Sequence, residues 1–160
     1  MPHYCITGYH HDWDSKVYDT SNKSEFPDDL KTLCRTIVSV IPNLSCPEFE
    51  AEAAIINYYP MDATLSGHVD FSEPNQSAPL VSVSFGQNAI FLIGGPTKAQ
   101  EPIPILLRNG DVLIMTHESR QCYHAVPKIL HSDSSIYVTD DFVRSYLTHH
   151  RINLNVRQVY

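Results

Sequence analysis

From residue 51 onward the chain is a succession of short runs of strand-forming residues, each closed by a turn. The runs cover 53–59, 65–69, 79–85, 89–93, 103–107, 112–115 and 152–159. Between them stand Pro60, Pro74-Asn75, Gly86-Gln87-Asn88, Gly94-Gly95-Pro96 and Pro102. Many short strands at such spacing indicate a sandwich or barrel. Arg108-Asn109-Gly110-Asp111 is the sharpest turn signal. Asn-Gly between two apolar runs favours a type I′ hairpin, because both central residues need positive φ.

The first fifty residues have a different character. Residues 1–26 are polar and aromatic, with Tyr4, Tyr9, His10, His11, Trp13 and Tyr18, and read as a loop. Pro27 opens a helix expected over 28–41. Leu30, Leu33, Ile37 and Ile41 recur at helical spacing with Cys34 and Val38 beside them, Asp28 and Asp29 suit the first turn, and Pro42 stops the run. Such a stripe is expected to buttress a sheet. Residues 132–141 read as a Ser- and Asp-rich surface loop and 141–150 as a short helix. With 160 residues, no internal repeat and no linker, one domain is expected over 1–160. Within it, 1–50 supply a substrate-recognition lid and the supporting helix, and 51–160 the core.

Composition narrows the function classes. No run of about 18 apolar residues is present to cross a membrane, and the N-terminus lacks the blocks of a signal peptide. Cys5, Cys34, Cys46 and Cys122 form no C-x-x-C pair, so reduced thiols in an intracellular compartment are expected rather than a zinc site. The net charge of -7 opposes a simple nucleic-acid binder, which needs a basic stripe to displace counterions. Lys128, Arg120, Arg108 and Arg35 are the candidates for a local basic cleft.

The chemistry starts at Gly67-His68-Val69-Asp70. On a strand, residues i and i+2 point to one face, so a single metal can take both His68 and Asp70. His124, 54 residues further on, is the candidate third ligand. Two histidines and a carboxylate on one face of iron(II) leave three positions open, which suits a bidentate keto acid plus dioxygen. Zinc accepts the same donors, so a zinc hydrolase is an alternative at this point. The segment Arg151-Ile152-Asn153-Leu154-Asn155-Val156-Arg157 bears on that choice. On a strand, Arg151, Asn153, Asn155 and Arg157 share a face. Two cations inside a sheet need anionic partners, and Arg clamps a carboxylate with two parallel hydrogen bonds. The other reading of the stripe is an exposed polar edge.

Taken in order, Asn57-Tyr58-Tyr59, His68-Val69-Asp70, Ser82-Val83-Ser84-Phe85-Gly86, Gly110-Asp111-Val112-Leu113-Ile114-Met115, His124-Ala125-Val126-Pro127 and Arg151-x-Asn153-x-x-x-Arg157 resemble the AlkB family of nucleic-acid dioxygenases. Gly8-Tyr9-His10, Trp13-Asp14-Ser15-Lys16 and Ser84-Phe85-Gly86-Gln87-x-Ala89-Ile90-Phe91-Leu92 resemble its AlkB homologue one branch, extending the likeness over nearly the whole chain. The resemblance implies a mainly β fold with minor α, a double-stranded β-helix (jelly roll) with a supporting N-terminal helix. It implies iron(II) on His68, Asp70 and His124. It also implies 2-oxoglutarate paired with Arg151, hydrogen-bonded by Asn57 and Tyr59, and supported near the metal by Asn153 and Arg157. Dioxygen is then the third reactant. Substrate contacts are expected from Tyr9, Trp13, Phe71 and Ser72. Two positions depart from the pattern: Ser72 stands where the bacterial repair enzymes carry a second acidic residue, and Asn155 stands where Thr is usual.

The implied activity is oxidative demethylation of a nucleobase, with release of formaldehyde. Expected substrates are N6-methyladenine in unpaired or bulged DNA and N1-methyladenine in tRNA, with 5-methylcytosine in tRNA expected to be oxidised rather than demethylated. The expected protein is a monomer without a membrane partner, in the nucleus or mitochondrion by resemblance. The alternatives are a protein methyl-lysine demethylase of the same mechanism, a non-catalytic nucleic-acid-binding module and the zinc hydrolase.

Overall fold

A computed structural model describes residues 3–42, 44, 46, 48–133 and 136–160. Among the described residues, ten strands form two antiparallel sheets. In chain order they are β1 (His3–Asp12), β2 (Val17–Lys23), β3 (Ala53–Pro60), β4 (Leu65–His68), β5 (Leu80–Gly86), β6 (Asn88–Ile93), β7 (Ile103–Leu107), β8 (Val112–Met115), β9 (His124–Leu130) and β10 (His150–Arg157). Helix α1 (Asp28–Ser39) follows β2 and helix α2 (Asp141–Leu147) precedes β10. The larger sheet runs β2-β1-β3-β10-β5-β8 and the smaller β4-β9-β6-β7. This is the expected jelly roll.

Alternation along β10 and β5 explains how a polar stripe sits inside the fold. Val156, Val81 and Val83 point to one face, where they pack with Ala54 against Phe26, Cys34 and Val38. That is the buttress role expected of α1, although Leu33 of the stripe is exposed and the helix ends at Ser39. The opposite face carries Arg151, Asn153 and Arg157, all buried. Between the two sheets, Tyr59, Leu80 and Met115 meet Ala89, Phe91, Leu107, Val126 and Ile129. Burying each such large side chain stabilises the fold by roughly 1.5–3 kcal/mol.

Three expectations need correction. Residues 1–26 are not a loop: β1 and β2 form a hairpin, and β1 extends the larger sheet by pairing with β3. Ladder hydrogen bonds hold this edge rather than an apolar stripe, so no periodicity marks it. Gly8 is required there. It has φ +79°, and a Cβ would stand 2.0 Å from the Glu52 carbonyl oxygen. The Asn109-Gly110 turn is not a type I′ hairpin. Gly110 has φ +87° but Asn109 is not among the positive-φ residues, and β7 pairs with β6 while β8 pairs with β5. The turn carries the chain from one sheet to the other. Asn109 instead accepts a hydrogen bond from the Gly86 amide at 2.9 Å. Finally, the strand expected over 65–69 ends at His68, leaving Asp70 in irregular backbone. Met1, Pro2 and the loop residues Ser134 and Ser135 lie outside the described residues.

Candidate metal centre and its surroundings

His68 and His124 are directly opposed partners across β4 and β9, with ring centroids 4.4 Å apart. A shift of register between Leu65 and His68 brings them into this pairing. Asp70, just past the end of β4, turns its carboxylate between them. His68 Nε2 lies 3.6 Å from Oδ1 and His124 Nε2 lies 3.8 Å from Oδ2. The ligating atoms of the three residues fall within 4.8 Å of one another.

The surrounding contacts prepare these groups as ligands. His68 Nδ1 faces the Ser66 carbonyl oxygen at 2.9 Å and His124 Nδ1 faces that of Cys122 at 3.2 Å. A carbonyl only accepts, so Nδ1 carries the hydrogen in both rings and the Nε2 lone pair faces Asp70. Burial pushes the His124 imidazole below its ordinary pKa, against the pull of Asp70. Burial opposes ionisation of Asp70 as well. The Arg157 guanidinium outweighs it and holds the carboxyl down at about 2. Two imidazoles with inward lone pairs and one ionised carboxylate are a donor set that fits iron(II) or another divalent metal.

Beside the triad, Tyr59, Ser82, Arg151, Asn153 and Asn155 line a narrow cleft between the sheets. Arg151 is 1% exposed. Its Nη2 donates to Ser84 Oγ at 2.9 Å, but Nε and Nη1 are buried without a partner. Burial, more than the nearby Tyr59 and Asp111 restore, lowers its pKa to about 10. A buried guanidinium with two unanswered donors fits a carboxylate ligand. The Tyr59 hydroxyl, pushed up by burial to about 12, stays protonated next to it. Asn153 donates to Ser82 Oγ at 2.8 Å. Asn57 lies on the same face of β3 as Tyr59, but lines the neighbouring cavity.

Arg157 has other partners. Its Nη2 reaches Asp70 Oδ2 at 2.8 Å, its Nη1 donates to the Tyr18 hydroxyl at 2.9 Å, and its Nε stands 3.1 Å from Glu73 Oε1 in an ion-pair contact without hydrogen-bond alignment. Tyr18 and Glu73 carried no signal in the sequence. Neither did the role of Arg120. Instead of joining a basic cleft it is 2% exposed, donating to Glu73 Oε2 and to the Asp70 carbonyl oxygen, each at 2.7 Å. Arg35 pairs with Glu50 on the α1 side of the molecule.

A larger cavity of about 630 Å³ opens from the triad to the surface. Trp13, Lys16, Phe71 and Ser72 line it, as does His11, whose Nε2 meets Ser72 Oγ at 2.9 Å. Trp13 and Phe71 are 48% and 61% exposed, and Lys16 Nζ stands 5.9 Å from the Phe71 ring centre. Tyr9 is not there. It packs edge-on against Tyr160, with Lys23 over its ring, because a register shift separates it from His11.

The model of the 2OG-Fe(II) oxygenase superfamily matches residues 3–157. The human protein named nucleic acid dioxygenase ALKBH1 is 38% identical over 98% of this chain and 46% of its own length. The tRNA demethylase abh1 of Schizosaccharomyces pombe is 38% identical over 95% of this chain and 51% of its own. The chain thus spans about half the length of these curated relatives. The solved structure of OsALKBH1 superposes with a TM-score of 0.77 at 21% identity, covering 97% of this chain and 77% of that one, and so shares the fold.

Proposed function

Because the chain belongs to the 2OG-Fe(II) oxygenase superfamily, we propose that it oxidatively demethylates nucleobases in unpaired nucleic acid, using iron(II), 2-oxoglutarate and dioxygen. The observation that carries this reading is the pairing of two features that line one cleft. One is a His68-Asp70-His124 triad with its lone pairs turned inward. The other is a buried Arg151 with two unanswered donors. A zinc hydrolase has no use for the second.

When bound, iron(II) and 2-oxoglutarate supply the oxidation: one atom of dioxygen enters succinate as carbon dioxide leaves, and the other enters the substrate methyl group. The side chains place the reactants. His68 and His124 hold the metal through Nε2, and Asp70 contributes its carboxylate. Arg151 offers its unanswered Nη1, with the neighbouring Nη2, to the far carboxylate of the keto acid, and the protonated Tyr59 hydroxyl is available to the same group. Asn153, Asn57 and Asn155 offer amide hydrogen bonds along the cleft. Arg157 acts on Asp70, keeping it ionised. Trp13 and Phe71 offer apolar faces at the cavity mouth, which suits stacking on a base taken out of a helix. Lys16 is a cation placed to meet a phosphate there.

The acidic chain, net charge -7, fits recognition by stacking better than by a broad phosphate-binding stripe. This favours a substrate already unpaired, such as bulged DNA or a tRNA loop. The test is formaldehyde release from matched oligonucleotides carrying N6-methyladenine in bulged DNA or N1-methyladenine in a tRNA stem-loop, with a trimethyl-lysine peptide as the third arm. Release from either nucleic acid supports the reading and selects between DNA and tRNA. Release from the peptide alone overturns it.

A further inference from the structure

Asp70 is held at both ends by buried cations, and one carboxylate ties those cations together. Arg157 Nη2 takes Asp70 Oδ2 at 2.8 Å, while Arg120 Nη1 takes the Asp70 carbonyl oxygen at 2.7 Å. Glu73 faces both guanidiniums, with Oε2 on Arg120 Nη2 at 2.7 Å and Oε1 at 3.1 Å from Arg157 Nε. Oε1 also accepts a hydrogen bond from the Tyr18 hydroxyl at 3.2 Å, and that same hydroxyl accepts from Arg157 Nη1. The side chains of Glu73, Arg120 and Arg157 are 0%, 2% and 6% exposed. The group contains two guanidiniums and two carboxylates, so it is neutral without any ion.

That balance has a consequence for the metal. Asp70 Oδ2 is shared between the direction of His124 Nε2 and the grip of Arg157. A guanidinium can bind one carboxylate with two parallel hydrogen bonds. Its Nε is turned to Glu73 in an ion pair rather than a hydrogen bond and its Nη1 is held by Tyr18, so Nη2 is the donor that Asp70 receives. The rest of the carboxylate is left to the triad. Without Glu73, Arg157 is free to turn Nε as well as Nη2 onto Asp70, closing on it with two parallel hydrogen bonds that compete with the metal. Arg120 loses its side-chain anion at the same time, and with it the anchor on the backbone that aims Asp70.

We propose that Glu73 is a positioning residue for the metal centre, and that with Arg120 it sets metal affinity by keeping Arg157 from closing on Asp70. This rests on the assignment of the metal to His68, Asp70 and His124. Residues that orient a ligand from behind typically change metal affinity by about 10- to 100-fold when replaced.

The experiment is titration of the metal-free full chain with cobalt(II), read by its visible absorption bands. It compares wild type, Glu73→Gln and the charge-balanced Glu73→Gln/Arg120→Gln. Circular dichroism first fixes a temperature at which each chain titrated is folded. The double variant keeps the comparison open if the single one does not fold. The expected result is cobalt(II) binding weakened by about 10-fold or more, with altered bands. Affinity for 2-oxoglutarate at saturating metal, which depends on Arg151, should change less than about threefold. A folded variant that binds cobalt(II) as tightly as wild type, with the same spectrum, overturns the proposal. Failure of wild type itself to bind, or wild-type binding that survives His68→Ala, overturns instead the placement of the metal.

Discussion

The guanidinium of Arg157 lies 2.8 Å from the carboxylate of Asp70, so a residue near the C-terminal end holds one of the three candidate metal ligands 87 positions earlier in the chain. Arg157 is buried and Asp70 largely so, at 6% and 12% exposure. Breaking a buried pair leaves the remaining charge without compensation, at a cost of about 3–5 kcal/mol. Arg157→Met is therefore expected to lose stability on that scale in urea denaturation of the metal-free chain. A loss below about 1 kcal/mol, the level of a surface pair, would contradict the buried pairing.

Arg151 predicts the opposite pattern. Its charge is buried and two of its donors are unanswered. Replacing it with an apolar side chain of similar length relieves that burden, so Arg151→Met is expected to melt no lower than wild type in the absence of ligand. In wild type with metal present, 2-oxoglutarate at about 100 times its Kd should add roughly 2.7 kcal/mol of stability. In Arg151→Met this ligand-induced shift should largely vanish at the same concentration. Thermal melts with and without 2-oxoglutarate read both effects. A full shift in the variant would place the keto acid elsewhere.

Substrate contacts divide by position. Trp13 and Phe71 stand at the mouth of the cavity, whereas Tyr9 packs on Tyr160 away from it. Stacking of one base on an aromatic ring contributes about 1–3 kcal/mol. Trp13→Ala and Phe71→Ala should each raise the KM for methylated oligonucleotide by about five-fold or more, with the KM for 2-oxoglutarate unchanged. Tyr9→Ala should leave both KM values within about twofold. Equal losses in all three variants would argue for a general effect on the fold.

Cys34 supplies a pH dependence free of the metal site. It is fully buried between α1 and the larger sheet, and burial pushes its thiol up to about 11. An unfolded chain loses this proton near pH 9 while the folded chain keeps it. The unfolded state then binds fewer protons, so stability falls as pH rises through 9 and levels off above about 11. The contribution is at most about 2–3 kcal/mol. Cys34→Ala lacks it, so the stability gap between wild type and variant should narrow between pH 9 and 11 in urea titrations. A gap constant over that range would show that the thiol ionises freely in the fold.

What could be read from the residues follows what each signal depends on. The strands β3 to β8 and β10 and the core-facing stripe of α1 are written in local alternation and periodicity, and the shared face of Arg151, Asn153 and Arg157 follows from a two-residue repeat alone, whereas β9 was not read as a strand. His68, Asp70 and His124 meet as the resemblance implied. The edge hairpin β1–β2 was illegible because backbone hydrogen bonds to β3 hold it, and these leave no pattern in side chains. The Asn-Gly turn misled because its local preference yields to a sheet-to-sheet crossing. Glu73, Arg120 and Tyr18 were invisible for another reason. They act through contacts spanning 47 to 139 positions, and a buried ion pair looks like any other charge in a sequence.

Whether the triad and Arg151 form a working oxygenase centre is decided by succinate production from 2-oxoglutarate by the purified, iron-loaded chain, in wild type and in His68→Ala. It should be run first without substrate and then with methylated bulged DNA and methylated tRNA stem-loop. Turnover should depend on His68 and rise when one methylated nucleic acid is added. Succinate no higher in wild type than in His68→Ala, with iron occupancy of wild type verified, would contradict this.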